Sequence, residues 1–588
     1  MNKEYKNNMK YIKSLNIALY NKIKDTKITN AYINECKNGM RNVLKKFNNN
    51  CIDIHSSYYP EKQAKYVSLY ALEDNPDIVF LFGMGLGYEL KEMIKVNSNT
   101  RYFIIEPDDE IFKLLVENED IKYLFNNNNI YFIQDNVFEN IVSFFEQMVY
   151  TDKTINIKFL ILPAYKTMYK DLTSKLNDYL KEFLNRIRIN IRTVNLSNRA
   201  WCQSFIANLK YLKETIPVSK LKNTFKDKPA IIVAAGPSLN YNLEKLKELQ
   251  DKVIIAAVGT GMQILEKNGI KASLVGAIDV WKSEENLFDN LCINSNIPLF
   301  FSSHTAYKIP GILNGPKFTM TTGHMDLYIS ESLNWGENEF FTGPSIANTM
   351  AYNLSKLGCN PIIFLGQDLC YSDDKWYAEG AINNTEFSKD YFEENGFVRT
   401  RNRNNDEVYT INTFLAMKTS LEHCIKLYPH LTYLNGTKNG LNIVGAKNID
   451  FNSYIDNIKE SKEQYNINKS LTEVYEEHIN SMDVEKINKF IFNLNHHNKQ
   501  IINILMEVSK FLEDEHRESE KIECINKTLM SLNKFEFYDK VIVHITREIE
   551  FIYSSRSYID KHKQMFAYIL DKCLIMDNAF EYEVYGKV

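Results

Sequence analysis

The chain has 588 residues, 44% hydrophobic and 24% charged, with a formal net charge of -4. At that length a single hydrophobic core no longer suffices, so a multidomain protein is expected, and so near-neutral a charge offers no basic face for nucleic acid. The nine cysteines show no CxxC pair or metal-ligand spacing, and no apolar run approaches a membrane span, which argues against a disulfide framework, structural zinc or bilayer insertion. The start, Met1 to Lys10, is polar and lacks the apolar core of a signal peptide, so a reducing, cytoplasmic location is expected.

Residues 1 to about 65 read as mostly helical, a cap on the α/β segment after them. Next, Asp77 to Phe82 forms an apolar strand, followed by the loop Gly83-Met84-Gly85-Leu86-Gly87, a helix from Tyr88, and a strand from Arg101 to Ile105 ending at Glu106. Strand, glycine loop, helix, strand and acidic residue is the Rossmann arrangement, with the GxGxG spacing of S-adenosylmethionine sites. Glu106 is then a candidate ribose ligand, although such glycines serve tight strand–helix packing equally well. From Tyr165 to about Asp227 the pattern is long amphipathic helix, with Arg186, Arg188 and Arg192 as a solvated face or an anion contact.

A second α/β unit opens with a buried strand, Ala230 to Ala235, running into Gly236-Pro237-Ser238 and a helix. A glycine, a proline-set turn and a hydroxyl near a helix start suit a phosphate or nucleotide, or simply a tight connection. Further strands lie at Val253 to Val258 before Gly259 and Thr260, at Ala272 to Ile278 before Asp279, at Pro298 to Ser302, and at Pro361 to Leu365 before Gly366-Gln367-Asp368. The loop Thr342-Gly343-Pro344-Ser345 precedes a helix. In an open parallel sheet all these polar residues fall at the carboxyl ends of strands, where ligands bind. After Asp368, Tyr371 and Tyr377 place phenol donors beside the turn, a metal-free means of stabilising a departing phosphate. A polar insertion (383–406, with Arg399, Arg401 and Arg403) reads as a flap, Leu441 to Gly445 returns to the sheet, and from about residue 452 the pattern is helical.

The expected fold is therefore α/β: a helical cap plus Rossmann-like domain (1–164), a helical linker (165–227), a central catalytic domain with an open, mostly parallel sheet (228–451), and a C-terminal helical domain (452–588).

Ser56-Ser57-Tyr58-Tyr59-Pro60, Phe82 to Gly87, Ala235 to Leu239 and Gly366 to Tyr371 together resemble the motility accessory factor family of flagellin glycosyltransferases, over roughly residues 55 to 450. The central unit is also similar to bacterial CMP-sialic-acid sialyltransferases. These resemblances imply transfer of a nonulosonic acid (pseudaminic or legionaminic type) from a CMP-activated donor to Ser/Thr of flagellin, inverting, without metal or cofactor. By the same resemblance Gly236, Pro237 and Ser238 lie against the nucleotide, Thr342 and Gly343 lie near the cytidine, and Tyr371 and Tyr377 meet the phosphate. Gly259, Thr260, Ser345 and Asp368 complete the expected donor site, with Asp279 among the catalytic residues. The family's Lys-Thr-His-Ala is Lys375-Trp376-Tyr377-Ala378 here, which leaves the general base among Asp279, His324 and His423. Two alternatives stand beside this reading. One is an Mg-dependent pyrophosphokinase of the 6-hydroxymethylpterin type, with Asp279 and Asp368 on the ion. The other is a non-catalytic flagellin-binding adaptor. The sequence leaves the oligomeric state open.

Overall fold

The computed structural model describes residues 3–149, 156–289, 291–341, 343–371, 377–381, 391–392, 397–459, 467–546 and 557–586. The chain divides into two compact units, Met1–Arg192 and Thr193–Val588, and the division falls inside the helix Lys170–Asn208. No helix among the described residues is long and apolar enough to cross a membrane.

In the first unit, helices Lys3–Leu15 and Ile17–Asp25 are followed by an antiparallel sheet of β1 (Ala31–Glu35), β2 (Arg41–Phe47) and β3 (Asn50–Asp53), where a mostly helical cap was expected. The overlooked signal is Asn38-Gly39, a hairpin turn with Gly39 at φ 81°. The Rossmann-like part is a parallel sheet ordered β6 (Ile130–Ile133), β5 (Arg101–Ile105), β4 (Ile78–Phe82), β7 (Ile157–Ile161). The run Ile-Val-Phe-Leu-Phe of β4 is buried at every position, as a strand covered on both faces requires.

The loop after β4 is filled by the protein itself. A Cβ on Gly83 would sit 2.2 Å from the Tyr165 ring, and one on Gly85 would sit 2.3 Å from His55 Nε2. The amides of Met84 and Gly85 donate to Glu106 Oε2 at 3.0 and 3.3 Å, the Tyr165 hydroxyl donates to the same oxygen at 2.6 Å, and Asp108 N donates to Oε1 at 3.0 Å. Leu86 N donates to His55 Nε2 at 2.8 Å, which leaves Nδ1 of that ring facing Glu89. Glu106 is thus no ribose ligand: it ties the glycine loop shut from inside.

The second unit is built on nine parallel strands: β8 (Thr215–Pro217), β9 (Ala230–Val233), β10 (Ile254–Val258), β11 (Leu274–Ala277), β12 (Leu299–Phe301), β13 (Lys317–Thr319), β14 (Ile362–Leu365), β17 (Tyr433–Asn435) and β18 (Lys447–Asn448). Their order is β18-β17-β14-β9-β10-β11-β12-β13-β8. A small hairpin, β15 (Val398–Arg401) and β16 (Glu407–Thr410), stands apart. Successive strand residues feed opposite cores. Ile232, Ile254, Ala256 and Phe364 face a layer containing helix Ile346–Lys356, and Ile231, Val233, Ile255 and Leu365 face one containing Leu246, Met262 and Leu265. The result is a three-layer α/β sandwich, as the alternating strands and helices predict.

Pairing at the sheet's edge falls on Lys447–Asn448, six residues beyond the expected return at Leu441, because Leu441 and Ile443 spend their side chains in the core as loop residues. Among the C-terminal helices, Phe451–Lys459 and Ile467–Asn480 pack on the central sheet's two layers, through Phe451 and Ile455 and through Leu471 respectively. Helices Val484–Glu513, Glu518–Leu532 and Tyr558–Ala579 make a separate core with Phe205, Leu209 and Tyr328.

Burial pushes the Glu106 carboxyl up to about 8 from 4.5, the hydrogen bonds from Tyr165 and Met84 opposing it. A carboxyl raised on folding contributes stability that is complete below its unfolded value and is lost as pH climbs through the folded one. Wild-type protein should therefore lose stability between about pH 5 and pH 9, a limb that Glu106→Gln removes. At the acid end, where the carboxyl is itself protonated and turns an O–H toward one of the four donors, the amide is nearly isosteric and the variant should stay within about 1 kcal/mol of wild type in urea titrations.

Candidate functional site

The chain runs from β9 outward through β10, β11, β12 and β13, then returns to the other side of β9 with β14. Such a reversal opens a crevice at the carboxyl ends of the two strands, the preferred ligand position in open α/β sheets. Because every strand is parallel, the loops after β17, β14, β9, β10, β11 and β12 lie in that order along one edge.

At the switch point the loops after β9 and β14 are locked together. Gly236 N donates to Gly366 O at 2.7 Å. Ser238 N donates to Asp368 Oδ2 at 2.8 Å, and the Ser238 hydroxyl makes a short bond to Oδ1 of the same buried carboxylate. A Cβ on Gly236 would lie 2.6 Å from Gly366 O. Asp368 therefore takes the place at the turn's amides that an incoming anion would take. Pro237 and Ser238 are buried in the short turn Pro237–Asn242.

The tyrosine loop docks on this turn. Ala378 N donates to Ala235 O at 2.8 Å and Glu379 N to Asn240 Oδ1 at 3.0 Å, which brings half-buried Tyr377 beside Gly236. Tyr371 is buried with its ring among Phe392, Phe397 and Phe414, and its amide donates to Tyr409 O at 2.8 Å. Burial pushes both phenols upward, so each keeps its proton as a donor at neutral pH. Arg403 is no phosphate ligand. Its guanidinium holds the carbonyls of Asn435 (2.9 Å), Thr437 and Ile449 (3.1 Å), tying the β15–β16 hairpin to the end of β17. Thr342 and residues 372–376, 382–390 and 393–396 lie outside the described residues, as do the side chains of Arg186, Arg188 and Arg192.

Beyond β10 the edge opens. Gly259, at φ 50°, has nothing within 4 Å of where a Cβ would stand. The Thr260 side chain leaves the next helix uncapped. Ser345 caps helix Ile346–Lys356, accepting from Asn348 N at 3.4 Å and donating to Asn348 Oδ1 at 2.6 Å. Gly343 abuts Asn348, 2.4 Å from where its Cβ would stand. That helix precedes β14 and runs against the strands, so its start reaches the same edge.

After β11 and β12 lies a group of titratable side chains. Asp279 reaches solvent, yet enough protein surrounds it that desolvation pushes its carboxyl up, with His304 pulling the other way. Glu284 is buried, its Oε1 without a hydrogen-bond partner, and burial together with Asp279 pushes it up to about 8. His304 stands edge-on to Trp201 at 5.8 Å and is pushed down by burial, against the pull of Asp326 and Asp279. Asp279 lies three strands from Asp368, about 14 Å at strand spacing, so the two carboxylates cannot share one magnesium ion.

The fold is shared with a MAf glycosyltransferase. The solved structure of that protein from Magnetospirillum magneticum AMB-1 superposes with a TM-score of 0.59 at 13% identity, covering 99% of this chain and 96% of that one. Residues 203–374 match the family described as 6-hydroxymethylpterin diphosphokinase MptE-like. An uncharacterized protein of Treponema pallidum (strain Nichols) is 25% identical over 118 residues, 20% of this chain and 55% of that protein, so the chain spans about half the relative's length.

Against the expected site, the structure brings Gly236, Pro237, Ser238, Asp368, Tyr371 and Tyr377 together at the switch point. It sets Gly259, Thr260, Gly343, Ser345 and Asp279 further along the same edge. Of the candidate bases, His423 is exposed on helix Asn412–Leu427, and the His324 ring is stacked on His544 at 3.4 Å. Sequence reading passed over His304 and Glu284. A signal for His304 was present, since it stands three residues beyond β12 in Ser302-Ser303-His304-Thr305.

Gly236 and Gly259 should respond differently to alanine. Gly236→Ala drives a methyl into the Gly366 carbonyl and should cost roughly 1–3 kcal/mol or more in urea unfolding. Gly259→Ala has room and loses about 1–2 kcal/mol to its left-handed backbone alone, yet it should abolish ligand binding measured by calorimetry, because its methyl enters the open mouth.

Proposed function

We propose that the protein is a glycosyltransferase that moves a nonulosonic acid of the pseudaminic or legionaminic type from a CMP-activated donor to Ser/Thr hydroxyls of flagellin in the cytoplasm. The observation that carries this reading is the end-to-end likeness to the MAf glycosyltransferase, combined with a polar strand edge arranged for a ligand longer than a sugar alone. In this reading the nucleotide lies along the loops at Gly236, Gly259 and Thr260, with Thr342, Gly343 and Ser345 over the cytidine. Tyr377, with Tyr371 beneath it, donates to the phosphate as charge develops there, which is where fixed donors lower a barrier most. The acceptor hydroxyl attacks the face opposite the departing CMP, so the anomeric centre inverts.

The family match over residues 203–374 favours a second reading, pyrophosphoryl transfer from ATP to a pterin alcohol. That chemistry needs magnesium on the phosphates, and the separation of Asp279 from Asp368 leaves each carboxylate to act alone. Purified protein incubated with CMP-activated nonulosonic acid and unmodified flagellin should raise the flagellin intact mass by multiples of one nine-carbon acid, equally well with EDTA present. Magnesium-dependent AMP release from ATP and hydroxymethylpterin, with flagellin mass unchanged, would establish the second reading instead. Flagellin binding with neither product would leave an adaptor.

A further inference from the structure

We propose that His304 is the general base of the transfer, its Nε2 taking the proton of the acceptor hydroxyl and its tautomer set by a hydroxyl relay through Ser302 and Thr305. The inference rests on the transferase reading above and supplies the base that reading lacks.

The relay can be followed proton by proton. The Thr305 hydroxyl donates to the Ala277 carbonyl at 2.9 Å, and a carbonyl only accepts, so its single proton is committed. Thr305 Oγ1 also accepts Ser302 N at 3.1 Å and faces Ser302 Oγ at 3.3 Å. With its proton committed, Thr305 cannot donate in that second contact; assigning the donor role to Ser302 turns a lone pair of Ser302 Oγ toward His304 Nδ1 at 3.3 Å. Nδ1 therefore carries the ring proton and donates. Nε2 keeps a bare lone pair and makes no hydrogen bond among the described residues. Ser302 and Thr305 are both fully buried, so water does not compete for these bonds.

The surroundings hold the ring and favour its charged form once the proton arrives. Asp326 accepts Ser303 N at 2.7 Å, Thr322 N at 2.9 Å and the Thr322 hydroxyl at 2.7 Å. It is thereby a satisfied carboxylate that fixes the loop after β12 without competing for the transferred proton. Ala306 N donates to Asp279 O at 2.9 Å, drawing the same loop against the end of β11. The groups acting electrostatically on the ring are Asp326 and Asp279, with Glu284 beyond Asp279, all of them acidic. Burial keeps the resting ring neutral, and Asp326 and Asp279 stabilise the imidazolium that forms. His304 lies three strands from Gly236, about 14 Å, so a sugar nucleotide seated at the switch point extends its anomeric carbon toward this end.

In the step itself the serine or threonine oxygen forms a bond to the anomeric carbon. The bond from that carbon to the CMP phosphate oxygen breaks, its electron pair leaving on CMP, and the hydroxyl proton passes to Nε2. Asp279 acts on the ring through its charge and, through its main-chain carbonyl, holds the loop that carries it.

The test compares wild type, His304→Gln and Ser302→Ala, using the CMP-activated acid and flagellin, with CMP binding followed by calorimetry. His304→Gln should lower kcat by about 10²–10⁴-fold with donor KM and CMP affinity within about threefold, and the acid limb of the kcat–pH profile should vanish. Ser302→Ala should keep that limb but displace it. If His304→Gln transfers within about threefold of wild type, or loses CMP binding together with activity, His304 is not the base. A wild type inert toward the CMP-sugar overturns the transferase reading itself, whatever stands at position 304.

Discussion

One buried contact organises the second unit of the molecule: the Asp368 carboxylate receiving both the amide and the hydroxyl of Ser238. It joins the ends of β14 and β9 where the sheet's connections reverse, and such charge-assisted bonds are roughly twice as strong as neutral ones. Much else hangs from the same residue. Leu441 N donates to Asp368 O at 2.8 Å, and the Thr410 hydroxyl donates to Leu369 O at 2.7 Å. Leu369 itself is held at φ 57°, a conformation a leucine adopts only when its surroundings impose it. Strand end, hairpin and loop after β17 thus converge on the adjacent residues Asp368 and Leu369, the first through its carboxylate and the other two through main-chain carbonyls.

That constraint splits the sheet edge into two kinds of ground. Around Gly236 and Asp368 the Ser238 amide and hydroxyl are met by the Asp368 carboxylate and the Gly236 amide by the Gly366 carbonyl, so this turn can present its backbone in a fixed direction. From Gly259 to His304 the polar groups are short of partners. A glycine faces open space, and among the described residues a buried carboxyl oxygen on Glu284 lacks a hydrogen bond. Unsatisfied groups lower stability, and clusters of shifted acids and bases mark sites of chemistry more often than sites of packing. A fixed turn beside an open strand end would suit the proposed group transfer, since the leaving group must be held while the acceptor varies.

The architecture was legible because strands covered on both faces are written as unbroken apolar runs, and β4, β9, β10 and β14 are such runs. The first hairpin sheet was not, because β1 to β3 are polar and half exposed, and their period is weak beside the amphipathic helices that precede them. At the site, glycine, serine and acidic residues after strands were readable as a group, but their individual duties were not. Ser238 and Asp368 are 130 positions apart, and nothing local says that they bond to each other rather than to a ligand. His304 shows the same limit. The role proposed for it depends on Ala277 and Thr305, which come together only when β11 and β12 pair.

The two glycine-rich loops differ in a way no local pattern records. After β4 and after β9, the chain has the same strand, turn and helix, with glycines and an acidic partner from the neighbouring strand. In both cases that acid, Glu106 or Asp368, folds back onto the turn's own amides, satisfying groups a phosphate would otherwise satisfy. What separates them is the next layer. Tyr165 and His55 fill the space above Gly83 and Gly85, so the first loop is closed on every side. The loop after β10 has no such plug. A turn that has lost its anion to an internal carboxylate can still border a site if the neighbouring strand end stays open, and among the described residues the second sheet keeps one open at Gly259, on the same edge as Asp279, Glu284 and His304.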